Sequence, residues 1–560
     1  MTSEHFEKII GNMQRQNSLN KDSLLQLLFS ITDSAEFTNE LTSLLVDLCN
    51  IDTVPSENKQ HTIEAEEAVY ERIEKALRRN TVAGTFINHQ ISAQIKTHPA
   101  YTKPYYQHDE DYSGRNNLIH IHHATSDEGG IALNAHIDTV CPYFPPMKKN
   151  GAIIGRGTSD DKGCCVSIIG ALILLQKLYE KTGILPKKPV VSMFVTDEES
   201  GGNGSLSVAI DHSLGNYYDT ILIVESTEGK LHSANRGAIW YKLDLDGSPE
   251  TQLRFAFKAV LALNDCGTAL RNESDHPQFA TRPVQTCHGI LGAYGEHPAR
   301  TCGKVVLRID NPPEQLQSYI AEGLDDYIKV YGDRTLVFDA DTGKQKINHH
   351  LDIDFKDDHC LLTVWGTAGH MGKALENDSA IVKAAWIAEK LYPHMDVSQI
   401  SLEKNNLGTL VLEGGQGFLP THTIEEVKQR MKNAISQLYN TTRDEFQKLK
   451  QPVLSFEKLH NDAFSRSADS KEMELGLFAA RLLHIPNLEP VVGFPVSCDS
   501  RIFAHEYPDK QVITAGPGTI AYAHTDNEQI TEKELTIGAL QLALSILLIT
   551  GTCVPNDFLQ

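Results

Sequence analysis

The stretch 190–202, VVSMFVTDEESGG, joins a buried strand to a cluster of acids, and the interpretation of the chain starts from it. Residues 190–195 are almost unbroken in apolar character and predict a strand buried inside a sheet. Asp197, Glu198 and Glu199 follow at once and are closed by two glycines. Adjacent acids at the end of a buried strand repel one another and lose solvation, so this stretch predicts a bound cation.

Length and composition limit the kinds of protein that the chain can be. Its 560 residues, 41% of them hydrophobic, predict a globular protein of two or more structural units. The formal charge of -22 and the lack of a Lys/Arg run exclude nucleic acid and anionic membranes as expected partners. The start lacks the apolar core of a secretory signal and the late run IGALQLALSILLIT is too short to span a bilayer, so we expect a cytoplasmic protein. The ten cysteines, without a CxxC pair, are expected to be reduced.

Strand and helix patterns predict an α/β catalytic domain interrupted by an insert. Strand-like runs alternate with helical patterns from 117 to 230, and this alternation returns near the end of the chain. We therefore expect a mixed, mostly parallel sheet flanked by helices and an enlarged α+β insert. The expected segments are a helical extension (1–35), the first catalytic segment (36–230), the insert (231–459) and the second catalytic segment (460–560).

Other apolar strands also end in residues of the types that bind metals. Ligands of an open α/β sheet gather beyond the carboxyl ends of its strands, which makes these residues candidates for one site. A lone acid after a strand is most often a helix cap or a solvated loop residue, but five such coincidences favour a metal centre. The candidates are His136 and Asp138 in IALNAHIDTV, Asp160 and Asp161 in GRGTSDDKG, Glu198 and Glu199 in TDEESGG, Glu225 in ILIVESTEG, and His524 in GPGTIAYAHTDNE.

Two of these motifs have a local geometry that suits a metal site. His136 and Asp138 are two residues apart, so on an extended strand they share one face, and a ligand histidine needs its other ring nitrogen held by a carboxylate or a carbonyl. Glycines 155, 157 and 163 allow close backbone approach around Asp160 and Asp161. One carboxylate in this loop is suited to bridge two cations.

The five motifs, in this order and at this spacing, resemble the co-catalytic di-zinc metallopeptidase family. This family includes aminoacylases, acetylornithine deacetylase, succinyl-diaminopimelate desuccinylase, carboxypeptidase G and carnosinase-like dipeptidases, and the resemblance covers about 36–230 and 460–560. It implies two divalent metal ions, zinc by default with cobalt or manganese as alternatives, because the ligands are imidazole and carboxylate without thiolate. The implied roles are His136, Asp160 and Glu225 at the first metal with Asp160 bridging, Glu199 and His524 at the second, Asp138 behind the histidine, and Glu198 as general base.

The resemblance also implies residues that contact the substrate. Asp499 and Arg501 in VSCDSRIFA resemble a desuccinylase pattern in which the arginine binds a substrate carboxylate, a task that suits its forked guanidinium. His370 in GTAGHMGKALENDSA resembles the histidine of the family's lid, which stabilises the oxyanion and reaches across a homodimer. His288 and Arg308, in a segment that resembles a dipeptidase lid, compete with His370 and Arg501 for these two roles.

The expected function is hydrolysis of an amide bond in a small substrate with a free carboxylate, an N-acyl amino acid or a short peptide. Water activated by the two metals, with Glu198 accepting its proton, would carry this reaction. Relatives with glutamate at the position of Glu225 tend to be deacylases or carboxypeptidases, whereas DDKG is also common among dipeptidases. The alternatives are therefore a dipeptidase or aminopeptidase, and a non-catalytic relative whose ligands would be eroded.

Overall fold

The two ends of the chain form one compact unit and its middle forms another. The computed structural model describes residues 21–104, 111–122, 124–126, 128–336, 345, 347–369, 371, 378–404, 408–456 and 460–553. Residues up to Asn235 and from Phe464 onward form the catalytic unit, and Arg236–Ala463 form the insert. These boundaries lie five and four residues beyond the positions expected from the sequence.

Helices and strands are numbered here in chain order along the described residues. The helices are α1 (Lys21–Thr32), α2 (Ala35–Cys49), α3 (Lys59–Arg79), α4 (Lys162–Thr182), α5 (Asn203–Ala209), α6 (His212–Gly215), α7 (Pro249–Glu273), α8 (Leu316–Tyr331), α9 (Ala380–Leu391), α10 (Ile424–Thr441), α11 (Lys471–Leu482), α12 (Ser500–Glu506) and α13 (Glu532–Thr550). The strands are β1 (Thr85–Gln90), β2 (Asn116–His122), β3 (Gly130–His136), β4 (Met147–Lys149), β5 (Ala152–Ile154), β6 (Leu185–Pro186), β7 (Val190–Val195), β8 (Tyr218–Ile223), β9 (Ala234–Asn235), β10 (Gly237–Leu245), β11 (Thr286–Leu291), β12 (Lys304–Asp310), β13 (Leu351–Phe355), β14 (His359–Trp365), β15 (Ile400–Leu402), β16 (Leu410–Phe418), β17 (Val453–Ser455), β18 (His460–Asn461), β19 (Phe464–Ser465), β20 (Gln511–Thr514), β21 (Gln529–Thr531) and β22 (Thr552–Cys553).

A six-stranded sheet with the order β1-β2-β7-β3-β8-β20 is the centre of the catalytic unit. Strands β7, β3, β8 and β20 are parallel neighbours, whereas β1 and β2 are antiparallel at one edge. Parallel neighbours need long crossover connections, and α4 lies in the one between β3 and β7. The predicted fold class, a mixed and mostly parallel sheet flanked by helices, is confirmed.

Both faces of this sheet are covered, which explains why its central strands are apolar without alternation. On one face Leu133 and Phe194 belong to a core shared with α2, α4 and α13. On the other face Met193 and Ile221 belong to a core shared with α5 and α12. Helices α4 and α13 have the length and composition to cross a membrane, but most of each is buried inside the unit, as in core helices of a folded domain.

The segment expected as an N-terminal extension is part of the catalytic unit where it is described. Leu28 and Ile31 of α1 are buried in the same core as α4 and α13, so α1 is not an appendage. Residues 1–20 lie outside the described part of the chain. After α2, the buried Lys162 donates hydrogen bonds to the carbonyls of Leu48 (3.2 Å) and Ile51 (2.8 Å), which ties the end of α2 to the start of α4.

The insert contains two antiparallel sheets and four of the helices. One sheet has the order β11-β16-β10-β17 with β18 also paired to β10, and the other has the order β13-β14-β12-β15. Its longest described helix, α7, is not predicted by the sequence patterns above. Ser248 followed by Pro249 at the first turn is a start signal that identifies this helix in hindsight.

Candidate active site

The candidate residues meet because the central parallel strands end at the same edge of the sheet. His136, the last residue of β3, is paired in register with Val195, the last residue of β7. On the other side of β3, the N–H of Val224 donates to the carbonyl of Asn134 (2.7 Å), which places Glu225 just beyond β8. The acidic turn, defined as residues 196–202 after β7, therefore lies beside His136.

His136 is buried, and its two ring nitrogens have different partners. Its Nδ1 lies 3.0 Å from the carbonyl oxygen of Asp138, which can only accept, so Nδ1 carries a proton. Its Nε2 lies 3.0 Å from Oδ1 of Asp160 and 4.0 Å from Oε1 of Glu225. In the neutral ring the Nε2 lone pair thus faces carboxylates, as in histidines that bind metals.

The two carboxylate oxygens of Asp160 face two different imidazoles. While its Oδ1 faces His136, its Oδ2 lies 3.3 Å from Nε2 of His524, which is also 3.0 Å from Oε1 of Glu199. The potential metal ligands form two sets: one is His136, Asp160, Asp161 and Glu225, and the other is Asp160, Glu199 and His524. Within each set, the ligand atoms lie within 4.8 Å of one another. Because both sets share Asp160, the arrangement suits two cations joined by one carboxylate.

The loop that carries Asp160 is held by contacts that the sequence did not reveal. Gly157 has a φ of +84°, and a Cβ on Gly163 would lie 2.2 Å from the carbonyl oxygen of Thr158. Oε1 of the buried Glu528 accepts hydrogen bonds from the N–H groups of Ser159 (3.1 Å) and Asp160 (3.0 Å). The glycines therefore allow the close approach that the sequence predicts, and Glu528 fixes the backbone of the bridging residue.

The carboxylates of Asp138 and Asp161 accept hydrogen bonds from backbone N–H groups at this edge of the sheet. The Asp138 carboxylate accepts from the N–H groups of Glu198 (3.2 Å) and Glu199 (3.0 Å). Oδ1 of Asp138 lies 3.4 Å from Nδ1 of His136, whereas the carbonyl oxygen of Asp138 lies 3.0 Å from the same nitrogen. Asp161 accepts from the N–H of His136 (3.0 Å). The predicted place of Asp138 behind the histidine is thus taken mainly by its carbonyl group, while its side chain orients the two glutamates.

Burial of so many acids shifts the pKa values at this edge. Burial raises the pKa of Glu198, Glu199 and Glu225, and neighbouring carboxylates add to the rise. Burial also acts to raise the pKa of Asp160, but hydrogen bonds from His136 and His524 outweigh it and hold that pKa below its usual range. Both histidines have a raised pKa because their carboxylate contacts outweigh burial. The raised pKa values mean that these groups hold protons more tightly than usual. Divalent cations placed among the carboxylates would supply the positive charge that these protons otherwise provide.

The donor set fits two divalent metal ions. Imidazole and carboxylate ligands suit zinc, and also cobalt or manganese. The nearby thiol of Cys165 donates to the carbonyl of His136 (3.2 Å) and is not part of either ligand set. The ligands predicted from the sequence, His136, Asp160, Glu199, Glu225 and His524, are the residues that the fold brings together.

A further group in the catalytic unit, His98, His505 and Glu506, has ligand residue types but a different hydrogen-bond pattern. Nδ1 of His98 accepts from the N–H of Ala100 (3.1 Å), so in the neutral ring the proton is on Nε2, which faces Glu506 (2.9 Å). A metal would have to displace that proton while Nδ1 kept its acceptor role, which a neutral imidazole does not allow. This group is a hydrogen-bonded cluster.

Asp499 and Arg501 lie beside the glycines that close the acidic turn. Both side chains are buried, and Nη2 of Arg501 donates to the carbonyl of Gly201 (2.9 Å). A Cβ on Gly202 would lie 2.4 Å from Oδ1 of Asp499, so only glycine fits there. Arg501 therefore supports the turn in this structure, and its predicted contact with a substrate carboxylate stays a prediction.

The three predicted residues of the insert have different outcomes. His288 is fully buried, its Nδ1 accepts from the hydroxyl of Tyr241 (2.5 Å) and its Nε2 lies 3.1 Å from Oδ1 of Asn264. This is the setting of a core histidine, and nothing in it supports an oxyanion role. Arg308 pairs with Asp310 on its own strand (2.8 Å), and His370 lies outside the described residues.

Comparisons with known proteins agree with this geometry. The family model described as Peptidase family M20/M25/M40 matches residues 132–547. A probable carboxypeptidase of Arthroderma otae is 34% identical over 131 residues, 21% of this chain and 27% of the relative. An uncharacterized metallohydrolase of Methanocaldococcus jannaschii is 29% identical over 189 residues, 30% of this chain and 44% of the relative. The matched regions thus span less than half the length of these relatives.

Two solved structures have the same fold as this chain over most of its length. Human carnosine dipeptidase 1 is similar with a TM-score of 0.55 and 13% identity, covering 94% of this chain and 99% of its own. A metallo-carboxypeptidase from Sulfolobus solfataricus has a TM-score of 0.51 and 12% identity, covering 91% of this chain and 99% of its own. Because the family model spans more than half of the residues and the motif residues converge at one sheet edge, this chain belongs to peptidase family M20/M25/M40, a family of hydrolases that act on peptide bonds.

Proposed function

We propose that this chain is a di-metal amidohydrolase that cleaves an amide bond in a small substrate with a free carboxylate. The observation that carries the proposal is the position of Asp160, whose two oxygens lie 3.0 Å and 3.3 Å from the imidazoles of His136 and His524. A carboxylate shared in this way suits a pair of cations and not a single structural ion. The metals, when bound, would polarise the scissile carbonyl and lower the pKa of water.

The protein's own residues divide the remaining work. Glu198 accepts the proton of the attacking water and returns it to the leaving amine. Burial and nearby carboxylates raise the pKa of Glu198, which favours its action as a proton acceptor and donor near neutral pH. Asp138 fixes the backbone of Glu198 and Glu199, so the base and the adjacent ligand stay in a constant relation. The hydrogen bond from Nδ1 of His136 to the Asp138 carbonyl keeps its Nε2 directed at the site.

The substrate that we favour is an N-acyl amino acid or the C-terminal residue of a short peptide. The curated relatives named probable carboxypeptidases support this choice, as does Glu225, whose residue type resembles that of deacylases and carboxypeptidases. Arg501, beside the acidic turn, is the proposed partner of the substrate carboxylate. The second candidate is a dipeptidase, which is favoured by the sequence DDKG at 160–163.

A substrate panel with metal-loaded protein tests the proposal. Chelated protein should be inactive, and Zn²⁺, Co²⁺ or Mn²⁺ should restore hydrolysis, because the ligands bind cations that the reaction needs. Each dipeptide is compared with its N-acetylated form, and each substrate with its C-terminal amide. Preference for acetylated acids supports the first candidate, and a requirement for a free amino group supports the dipeptidase. Full activity of metal-free protein, or no hydrolysis of any amide by protein that binds two metals, would contradict both.

A further inference from the structure

A buried cluster centred on Arg115 lies directly behind the acidic turn. The Arg115 guanidinium donates to both oxygens of Asp197, with Nη2–Oδ1 at 2.6 Å and Nη1–Oδ2 at 3.0 Å. It also donates to Glu66 of α3, with Nε–Oε2 at 3.0 Å. All three side chains are almost fully buried. One guanidinium therefore joins α3 and the start of β2 to the first acid of TDEE.

Asp197 needs such a partner because its backbone is strained and its charge is buried. Its φ is +65°, in the left-handed region that residues other than glycine seldom adopt. Its carbonyl accepts from the N–H of Gly202 (2.6 Å), which closes the turn. A buried carboxylate without a partner would leave this conformation, so the shape of the turn depends on the ion pair with Arg115.

Tyr112 extends the same network to the next helix. Its hydroxyl donates to Oδ2 of Asp197 (2.5 Å) and accepts from Nδ2 of Asn203 (2.6 Å), the first residue of α5. From the opposite side, Asp138 holds the N–H groups of Glu198 and Glu199. The turn is thus held by hydrogen bonds on two sides, with Asp138 at the site and with Arg115 behind it.

We propose that Arg115 is a positioning residue that acts through Asp197 to hold Glu199 at the second metal and Glu198 beside the substrate. The proposal rests on the function proposed above for the site. It predicts an asymmetry between the two metal positions. The second position takes Glu199 from this turn, whereas the first takes His136, Asp160 and Glu225, none of which belongs to it.

The chain offers a matched pair of variants, because Arg115 binds two buried acids. The two variants are Asp197→Asn and Glu66→Gln. Each replaces one carboxylate by an amide of the same shape. Each variant removes one of the two negative charges that face Arg115, but only Asp197 belongs to the acidic turn, where its φ is left-handed. Glu66 accepts a hydrogen bond from the hydroxyl of Thr196, and the side-chain oxygen of a glutamine can still accept it.

The test is a titration of metal-free protein with Co²⁺, followed by heat release and by visible absorption. His524→Ala identifies the step that belongs to the second position. Asp197→Asn should raise the dissociation constant of that step at least tenfold and change its absorption spectrum, with the first step changed less than threefold. Glu66→Gln should leave both steps within threefold. Equal changes in the two variants, or an unchanged second step in Asp197→Asn, would overturn the proposal.

Two further variants keep the test decisive if Asp197→Asn does not fold. Tyr112→Phe removes one hydrogen bond to Asp197 and should weaken the second step about fivefold, outside the threefold range of the control. Arg115→Lys, which lacks the fork, should act like Asp197→Asn. An unchanged second step in both would reject the role of the cluster. The titration does not require turnover, so a loaded wild-type protein that hydrolyses no amide would end the proposed function without deciding the role of Arg115.

Discussion

The edge of the catalytic sheet and the core of the insert both bury histidines, but the neighbours of these histidines differ. His136 and His524 face carboxylates at 3.0 Å, and their pKa values lie well above 6.5 although burial opposes this. His288 faces the hydroxyl of Tyr241 and the side-chain amide of Asn264, and burial lowers its pKa to about 3. Burial of a histidine therefore does not indicate a metal site, whereas burial among an excess of acids does.

A second contrast concerns how each region balances its buried charges. In the insert, Nζ of the buried Lys383 donates to Asp378 (2.6 Å), to the carbonyl of Trp365 (2.6 Å) and to Nδ1 of His350 (2.9 Å). These three contacts use all the donors of an ammonium group, and one positive charge faces one negative charge. The catalytic edge has an excess of acids instead. Only the second kind of cluster needs cations from outside the chain.

The largest expected difference between the two regions is in turnover. Glu198→Gln should lower kcat by about 10³-fold, within the range for loss of a general base, and should keep both metals. His288→Gln should change kcat less than threefold, because His288 is a core residue of the insert. Steady-state kinetics and metal analysis of the two variants check this. Loss of metal from Glu198→Gln would mean that Glu198 and Glu199 have exchanged roles, and an inactive His288→Gln would break the comparison.

Metal removal should destabilise the catalytic edge and leave the core of the insert unchanged. Each metal present at about 1,000 times its dissociation constant stabilises the folded state by about 4 kcal/mol, and this contribution is lost on chelation. Hydrogen exchange should accelerate at 155–163 and in the acidic turn, where the carboxylates lose their counterions, and not in β11. Equal acceleration in β11 would show that the two regions are not independent in this respect.

The smallest expected difference is in pH dependence, and it has opposite signs in the two regions. The folded pKa of His288 lies below 6.5, so its share of stability is complete above that pH and is lost as the pH falls toward 3. Between pH 7.5 and pH 5 this loss is about 2 kcal/mol. His136 and His524 stabilise the metal-free fold at low pH instead, and this share is lost as the pH rises through their raised pKa values.

Tryptophan fluorescence separates the two effects, because all three tryptophans, Trp240, Trp365 and Trp386, lie in the insert. The free energy of unfolding of the insert, measured in this way by urea titration, should decrease from pH 7.5 to pH 5 in the wild type. The decrease should be smaller in His288→Gln. A His288→Gln variant with the wild-type pH dependence would show that other groups carry the effect.

The sequence predicted the sheet, and it predicted which candidate ligands meet at the edge of that sheet, because both follow from short-range patterns. Buried parallel strands leave apolar runs, and the ligands follow those runs directly, as Glu198 and Glu199 follow β7. It did not predict the partners that hold the ligands. Arg115 is 82 residues from Asp197. Arg156, whose Nη1 donates to Oε2 of Glu528 (2.5 Å), is 372 residues from that glutamate. A histidine on a strand, such as His288, likewise gives no sign of what will pack against it.

By itself, the sequence determined which residue types stand at the ends of the catalytic strands and in which order those strands occur. The tertiary structure decided that Asp160 faces both imidazoles, that His288 is a core residue and that Arg115 grips Asp197. The physical reason is that the strength of an electrostatic contact depends on the distance and burial of its groups. Those quantities are set by which strands become neighbours, and spacing along the chain does not contain them.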